Sequence, residues 1–266
     1  MAEARTTYDV AVPAARGVER VPTVVVDDLH VVYRVARGGA GGNAAAALLQ
    51  LAQGRPRRLV SDVHAVRGVS FTAYRGEAIG VVGSNGSGKS TLLRAVAGLL
   101  PPASGAVYTH GQPTLLGVNA ALMDSLSGER NVVLGCLAMG MTPQQARARY
   151  EDIVAFADIP AEALSRQMST YSSGMAARLR FAIASARTHD VLLIDEALAT
   201  GDAAFRRRSD ERIRELREAA GTVFLVSHSP EAVRTTCQRA LWVDAGRLVM
   251  DGTADDVVDA YERASR

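Results

Sequence analysis

Gly83, Ser84, Asn85, Gly86, Ser87, Gly88, Lys89 and Ser90 follow one another in the order G-x-x-x-x-G-K-S, directly after the apolar stretch 77–82. No other feature restricts the fold as much. An apolar run, a glycine-rich octet and then the stretch 91–97, rich in helix formers, require a buried strand, a tight loop and a helix leaving it. Glycine at 83, 86 and 88 frees backbone conformations that a Cβ would obstruct. The exposed N–H groups can then converge on phosphate oxygens at a helix N-terminus, where the macrodipole also favours anions. Lys89 is placed to reach a β- or γ-phosphate of a bound nucleotide, and the Ser90 hydroxyl to ligate Mg2+, with Thr91 next in the helix. A plain Gly/Ser turn would need neither the Lys-Ser ending nor this strand and helix on either side.

Composition narrows what can surround such a loop. With 266 residues the chain can hold one large α/β domain, and 48% hydrophobic with 22% charged residues is ordinary for a globular protein. The net charge is only +2 and the basic residues are dispersed, which argues against a nucleic-acid partner. Cys136 and Cys237 lie far apart without C-x-x-C spacing and read as reduced core thiols. No apolar run approaches the roughly 20 residues that span a bilayer, and residues 1–20 lack a signal-peptide core. The expectation is a chain soluble by itself, reaching a membrane only through a partner.

Along the chain, residues 1–22 read as a disordered tail and 23–265 as a single domain. Strands are expected at 23–35, 63–73 and 77–82, with an insertion at 36–60. That insertion carries a short helix at 44–52, with Asn43 as N-cap and Gly54 as stop. Arg55, Arg57 and Arg58 beyond it are either a solvated loop or a face for anionic headgroups or a lipid-linked pyrophosphate. Residues 118–170 read as an inserted helical subdomain, its helices at 131–139 and 143–157, the second opened by Thr142 and Pro143. The core then resumes with helices at 174–186, 203–220, 230–237 and 255–262 and strands at 191–194, 222–226, 240–243 and 247–250.

Three further constellations point to the same chemistry. Val191-Leu192-Leu193-Ile194 is apolar without alternation, as a strand covered on both faces should be, and it runs into Asp195 and Glu196. Ligands of open α/β sheets bind beyond the carboxyl ends of the strands, so Asp195 is expected beside the loop as a Mg2+ ligand. Glu196 is expected to be the base that deprotonates the attacking water. Tyr171-Ser172-Ser173-Gly174-Met175 opens a helix with two hydroxyls and a glycine, which alone is common capping chemistry but here offers a second anion site. His228 follows the strand 222–226, from which an imidazole can bond a γ-phosphate.

In this order and spacing the motifs resemble the ATPase subunits of ABC transporters. The resemblance implies an α/β P-loop NTPase fold: an ABC-type ATPase core with an antiparallel β subdomain and an inserted α-helical subdomain. It assigns Walker A to 83–90, the signature to 171–175, Walker B to 191–195, the switch histidine to His228 and the D-loop to 199–202. Tyr33 matches the aromatic that stacks on adenine. The finer resemblance is to exporters of cell-envelope polymers, on the Tyr-Ser-Ser-Gly-Met signature, Asp195 to Leu198, Leu126-Ser127-Gly128, Asn131, Met139-Gly140 and the insertion at 36–60. The chain departs from ABC ATPases in general at the Q-loop, where 116–120 contain no glutamine and Asn119 is the nearest amide.

The resemblance further implies a head-to-tail dimer with a second copy of the chain. Each ATP then lies between one Walker A loop and the other copy's Ser172, Ser173 and Gly174. It implies a polytopic membrane permease, with a lipid-linked glycan handled through that permease, and a peripheral place on the cytoplasmic face. A groove for a permease helix could involve Leu122, Met123, Leu126, Leu137, Met139 and Met141, although for most of these six internal core is the simpler expectation. The favoured cargo is a wall-teichoic-acid-like polyol phosphate, with O-antigen or galactan behind it. A soluble, non-transport ABC ATPase is the competing class. It is disfavoured because neither a second cassette nor a long coiled-coil insertion occurs.

Overall fold

The computed structural model describes residues 20–36, 60–116, 122–195, 203–227 and 229–265. Strands β1 (Pro22–Ala36) and β2 (Val60–Tyr74) are each 15 residues long, longer than the sequence suggested, because each lends the other a full antiparallel ladder. Strand β4 (Ser104–Thr109) pairs antiparallel with the other edge of β1, completing a three-stranded sheet.

The second sheet has six strands in the order β5 (Pro113–Leu115), β6 (Val191–Asp195), β7 (Thr222–Val226), β3 (Ala78–Val82), β8 (Arg239–Asp244), β9 (Arg247–Thr253). The first five are parallel and β9 joins antiparallel to β8. β3 and β6 are buried over four of their five residues, which is why their sequences show no polar alternation. Neither β4 nor β5 was legible beforehand: the first is largely exposed and the second has three residues.

Helix α1 (Lys89–Val96) is wedged between the two sheets. Its Leu92 and Leu93 join Val24, Val26 and Leu29 of β1 and Ile79, Leu193 and Phe224 of the parallel sheet in one core. Burying two leucines this way stabilises the wedge by roughly 1.5–3 kcal/mol each. Thr23 of β1 and Thr222 of β7, both buried, bring their hydroxyls within 2.6 Å and join the two sheets directly.

Helices α2 (Gly128–Ala138), α3 (Pro143–Ala157), the short α4 (Ala161–Leu164) and α5 (Ser173–Ala184) follow β5. α2 and α3 start near the expected places, the second with a full capping box between Thr142 and Gln145. α5 packs on α2 and α3, so it belongs with these helices as much as with the sheet it precedes. They share a core with Leu192, Ile194 and Val223, and with Phe205 and Leu216 of α6 (Ala203–Ala219). On the other side, α7 (Pro230–Thr236) and α8 (Ala254–Ala264) cover β3 and β8 through Val233, Val257 and Val258. Arg234 clamps these two helices by pairing with Asp255, Asp259 and Glu262. Cys136 and Cys237 are both free and buried.

His189, between α5 and β6, is buried, and its Nε2–H donates to the Ala184 carbonyl at 3.0 Å. Burial pushes its pKa down from 6.5 to about 4, with the Ala184 carbonyl and Asp190 opposing and Arg187 adding to the fall. The folded protein therefore binds fewer protons here than the unfolded chain. The stability this provides is complete above pH 6.5 and is lost as the pH falls towards about 4. Between pH 7 and 4 the parent should lose roughly 3 kcal/mol more than His189→Gln, which keeps a donor but does not titrate. Urea melts at the two pH values check this, and equal losses would show that His189 does not govern the acid limb.

Candidate nucleotide-binding site

β3 ends at Val82 and α1 begins at Lys89, so residues 83–88 form the loop that the sequence required. Two of its glycines are dictated by contact. Gly83 has φ 148° and an ideal Cβ there would overlap the Val243 carbonyl oxygen; Gly88, at φ 109°, would bring a Cβ to 2.5 Å from the Ala65 carbonyl oxygen. The loop is thus pressed between β2 and the end of β8.

Three observations show that this cradle suits an anion. α1 has neither a side-chain cap nor an acidic residue in its first turn, so its leading N–H groups face the loop unneutralised. The Ser87 hydroxyl is buried without a hydrogen-bond partner among the described residues. Lys89 is the only lysine of the chain. It is buried, and its Nζ donates to the Gly83 and Ser84 carbonyls at 2.7 and 2.8 Å, so the ammonium lies folded over the loop.

A cavity of about 220 Å³ opens here, lined by Asn85, Gly86, Ser87, Gly88, Lys89, Ser90, Thr91 and Asp195, together with Ala65 and Val226. β7 separates β3 from β6, and Asp195 pairs with Val226, so the Asp195 carboxylate reaches the loop from one strand away. Ser90 and Asp195 supply the hard oxygen donors that Mg2+ takes. Tyr33 lies beside the same helix, its hydroxyl 3.4 Å from Thr91 Oγ1. Glu196, Asn119, the segment 199–202 and His228 lie outside the described residues, as do residues 1–19 of the expected tail, whose Pro22 instead opens β1, and most of the 36–60 insertion with its three arginines. Glu196 and His228 are the next residues in sequence after Asp195 and Ser227.

The signature turn stands elsewhere. Ser172 is the N-cap of α5 and its hydroxyl accepts from the Met175 N–H at 3.2 Å. None of Ser172, Ser173 and Gly174 lines the loop cavity. Within one copy of the chain, therefore, the signature turn does not meet the loop cavity.

Sequence reasoning missed two wall residues. Ala65 and Val226 carry no functional signal, since each contributes shape through its place on a strand. His64, beside Ala65, has its Nε2 2.9 Å from His30 Nδ1. Burial first, then His30, Arg67 and Arg247, hold its pKa below 6.5 and keep it neutral at neutral pH.

A separate open groove of about 500 Å³ runs over the helices, lined by Glu129, Arg130, Val133, Leu134, Leu137 and Tyr150. Of the six groove residues considered from sequence, Met139 and Met141 are core, Leu122 and Leu126 are half-buried, and Met123 and Leu137 are exposed. Val133 and Leu137, four apart on α2, are both exposed, so among the described residues this helix face is left uncovered.

The family model described as ABC transporter matches residues 66–199. The chain belongs to the ABC transporter family. The cassette is 38% identical over 200 residues to the teichoic acids export ATP-binding protein TagH of Staphylococcus saprophyticus, covering 75% of each chain. It is 36% identical to TagH of Lactiplantibacillus plantarum, over 76% of this chain and 55% of that protein. With the O-antigen export system ATP-binding protein RfbB of Myxococcus xanthus it shares 36% identity, over 79% of this chain and 48% of that one. It thus spans about half the length of the last two. Among solved structures, an ATP-binding subunit of an ABC transporter superposes with a TM-score of 0.65 at 22% identity, covering 90% of this chain and 93% of the other. The dimeric post-hydrolysis structure of the cassette MJ0796 bound to ADP and Pi gives 0.63 at 18%, covering 87% and 98%. At these identities the structures bear on fold alone, and they establish the ABC ATPase architecture.

Removing the ammonium from the cassette's cradle tests the assignment of Lys89. A bond from this ammonium to a phosphate would be charge-assisted, about 1.5–3 kcal/mol, so Lys89→Ala should weaken ATP binding by roughly 10- to 100-fold. Titration with a fluorescent ATP analogue measures this, and an unchanged affinity would reject the assignment.

Proposed function

We propose that this chain is the ATP-hydrolysing subunit of an exporter that moves a lipid-linked cell-envelope polymer across the cytoplasmic membrane. The unit doing so is a single cassette over residues 23–265, with the segments 36–60 and 118–170 as its insertions. A wall-teichoic-acid-like polyol phosphate is the favoured cargo, and an O-antigen or galactan polysaccharide is the second reading. Similarity to both TagH and RfbB supports polymer export as the class. No helix among the described residues is long and apolar enough to cross a membrane; the partner we propose for transport is a polytopic membrane permease. The groove along α2, with Val133 and Leu137 exposed, is the face we assign to a helix of that permease.

The observation that carries the catalytic reading is the division of the anion sites: the Walker A cavity holds Asp195 but not the Ser172 turn. A triphosphate seated on one loop therefore keeps γ-phosphate oxygens without donors from that copy. The Ser172 hydroxyl and the Gly174 N–H of a second, head-to-tail copy are chemically suited to them. Each such bond is worth about 1.5–3 kcal/mol, so ATP would close the dimer and hydrolysis would remove what bridges it.

In the closed site the N–H groups of 84–91 hold the β- and γ-phosphates, Lys89 neutralises their charge, and Tyr33 stacks on the base. Ser90 and Asp195 would hold Mg2+, which when bound would offset the negative charge of the triphosphate. Glu196 accepts the proton of the attacking water, and His228 bonds the γ-phosphate and so registers its presence. The water's oxygen attacks phosphorus, the bond to the ADP oxygen breaks, and inorganic phosphate leaves.

Two outcomes are expected. Glu196→Gln should retain ATP affinity and slow turnover by roughly 10²–10⁴, accumulating an ATP-bound dimer visible by ultracentrifugation; near-normal turnover would reject Glu196 as the base. In cells depleted of this subunit, a lipid-linked polyol phosphate polymer should build up in the cytoplasmic leaflet. Mass spectrometry of the lipid extract distinguishes this from a neutral O-antigen or galactan chain, and finding no accumulating glycan would overturn polymer export.

A further inference from the structure

The signature turn is joined to the base of α2 by an unusually direct set of contacts, and Tyr171 is at their centre. Its side chain is half-buried, and its hydroxyl donates to the Ala163 carbonyl of α4 at 2.9 Å. It also lies so close to Gly128, the first residue of α2, that an ideal Cβ there would overlap Tyr171 Oη. Burial raises the pKa of the phenol, and the charges of Glu129 and Tyr150 raise it further, so the hydroxyl remains a donor at neutral pH.

The backbone around it is tied in the same sense. The Gly128 N–H donates to Arg166 O at 3.2 Å, Met168 N–H to Leu126 O at 2.9 Å, and Ser169 N–H to Asp124 O at 2.9 Å. The loop they bind is braced from α2 by Asn131, which is fully buried. Its Oδ1 accepts from Met123 N–H at 2.8 Å, and its Nδ2 donates to the carbonyls of Met123, Leu126 and Ser127 at 2.9 to 3.2 Å. A line of hydrogen bonds thus runs from α2 through 123–127 to 166–169, and Tyr171 closes it one residue before Ser172.

We infer that Tyr171 is a positioning residue: its hydroxyl, lodged between Gly128 and Ala163, holds the Ser172 turn in register with the groove-bearing helix α2, so that moving one displaces the other. A leucine in this place would fill the space but could not donate to Ala163. The inference rests on the reading of Ser172 as a donor to the ATP of a second copy. The physical mechanism is a short, saturated linkage, in which α2 cannot shift along its axis without carrying Tyr171 and the start of α5 with it.

The test separates two quantities that a merely structural role would move together. In a Glu196→Gln background, ATP affinity of the dilute single subunit is measured with a fluorescent ATP analogue, and the ATP-driven dimer constant by ultracentrifugation. Tyr171→Phe should leave the first within twofold and weaken the second by roughly 3- to 10-fold, the effect of one lost hydrogen bond. Gly128→Ala, whose methyl group displaces the ring, should weaken the dimer at least as much. Combining it with Tyr171→Phe should give less loss than the two effects added, because the displaced oxygen is gone. Unchanged dimer constants, additive losses, or a parallel fall in ATP affinity would each overturn the proposal. Ser172→Ala serves as the control: if it dimerises like its parent, the two-copy site itself fails and this inference falls with it. If Ser172→Ala is defective while Tyr171→Phe is not, only the role of Tyr171 is lost.

Discussion

The bare N-terminus of α1 is the constraint on which this molecule is built. A helix whose first turn carries neither cap nor acid has unsatisfied amides, and burying them beside a buried lysine calls for an anion. What makes the arrangement tenable is the wedge itself. Leu92 and Leu93 anchor α1 between two sheets, and the loop before it is confined by Val243 and Ala65. The same packing that holds the helix leaves its polar end as the open place where a ligand's charge can be received.

Topology explains why chemistry gathers there. β3 and β6 are not adjacent, and β7 between them sets the spacing at which the Asp195 carboxylate faces the loop. The helices between β5 and β6 are not an appendage, since they share a core with Leu192 and Ile194 of the strand that ends in Asp195. A change in their packing is therefore felt at the strand that ends in Asp195, which gives a transport ATPase a material connection between its outer surface and its chemistry.

Much of this was readable in the chain. The buried strands announced themselves because both faces are covered, so Val191 to Ile194 could be polar nowhere. The anion loop was readable because its glycines answer to local backbone geometry. What escaped were elements made by tertiary pairing. β5 is three residues that become a strand only because β6 lies alongside, and β4 is an exposed edge with little pattern. Periodicity also could not divide Met139 and Met141, which are core, from Met123 and Leu137, which are exposed, because all four are simply apolar. The fit of Tyr171 against Gly128 depends on residues 43 positions apart meeting in space. No single-sequence signal reports such a meeting.

The presence of a single lysine has a last consequence. Apart from its histidines, every other basic side chain is an arginine, whose guanidinium keeps its charge under alkaline conditions and has no free primary amine. Acylating reagents, aldehydes and acetyl-transferring enzymes thus have one side-chain target, Lys89, and it is sheltered inside the phosphate cradle. Apart from the α-amine, the protein is consequently almost inert to amine-directed modification, and the one side-chain amine that such chemistry could capture lies in the loop proposed to hold the nucleotide.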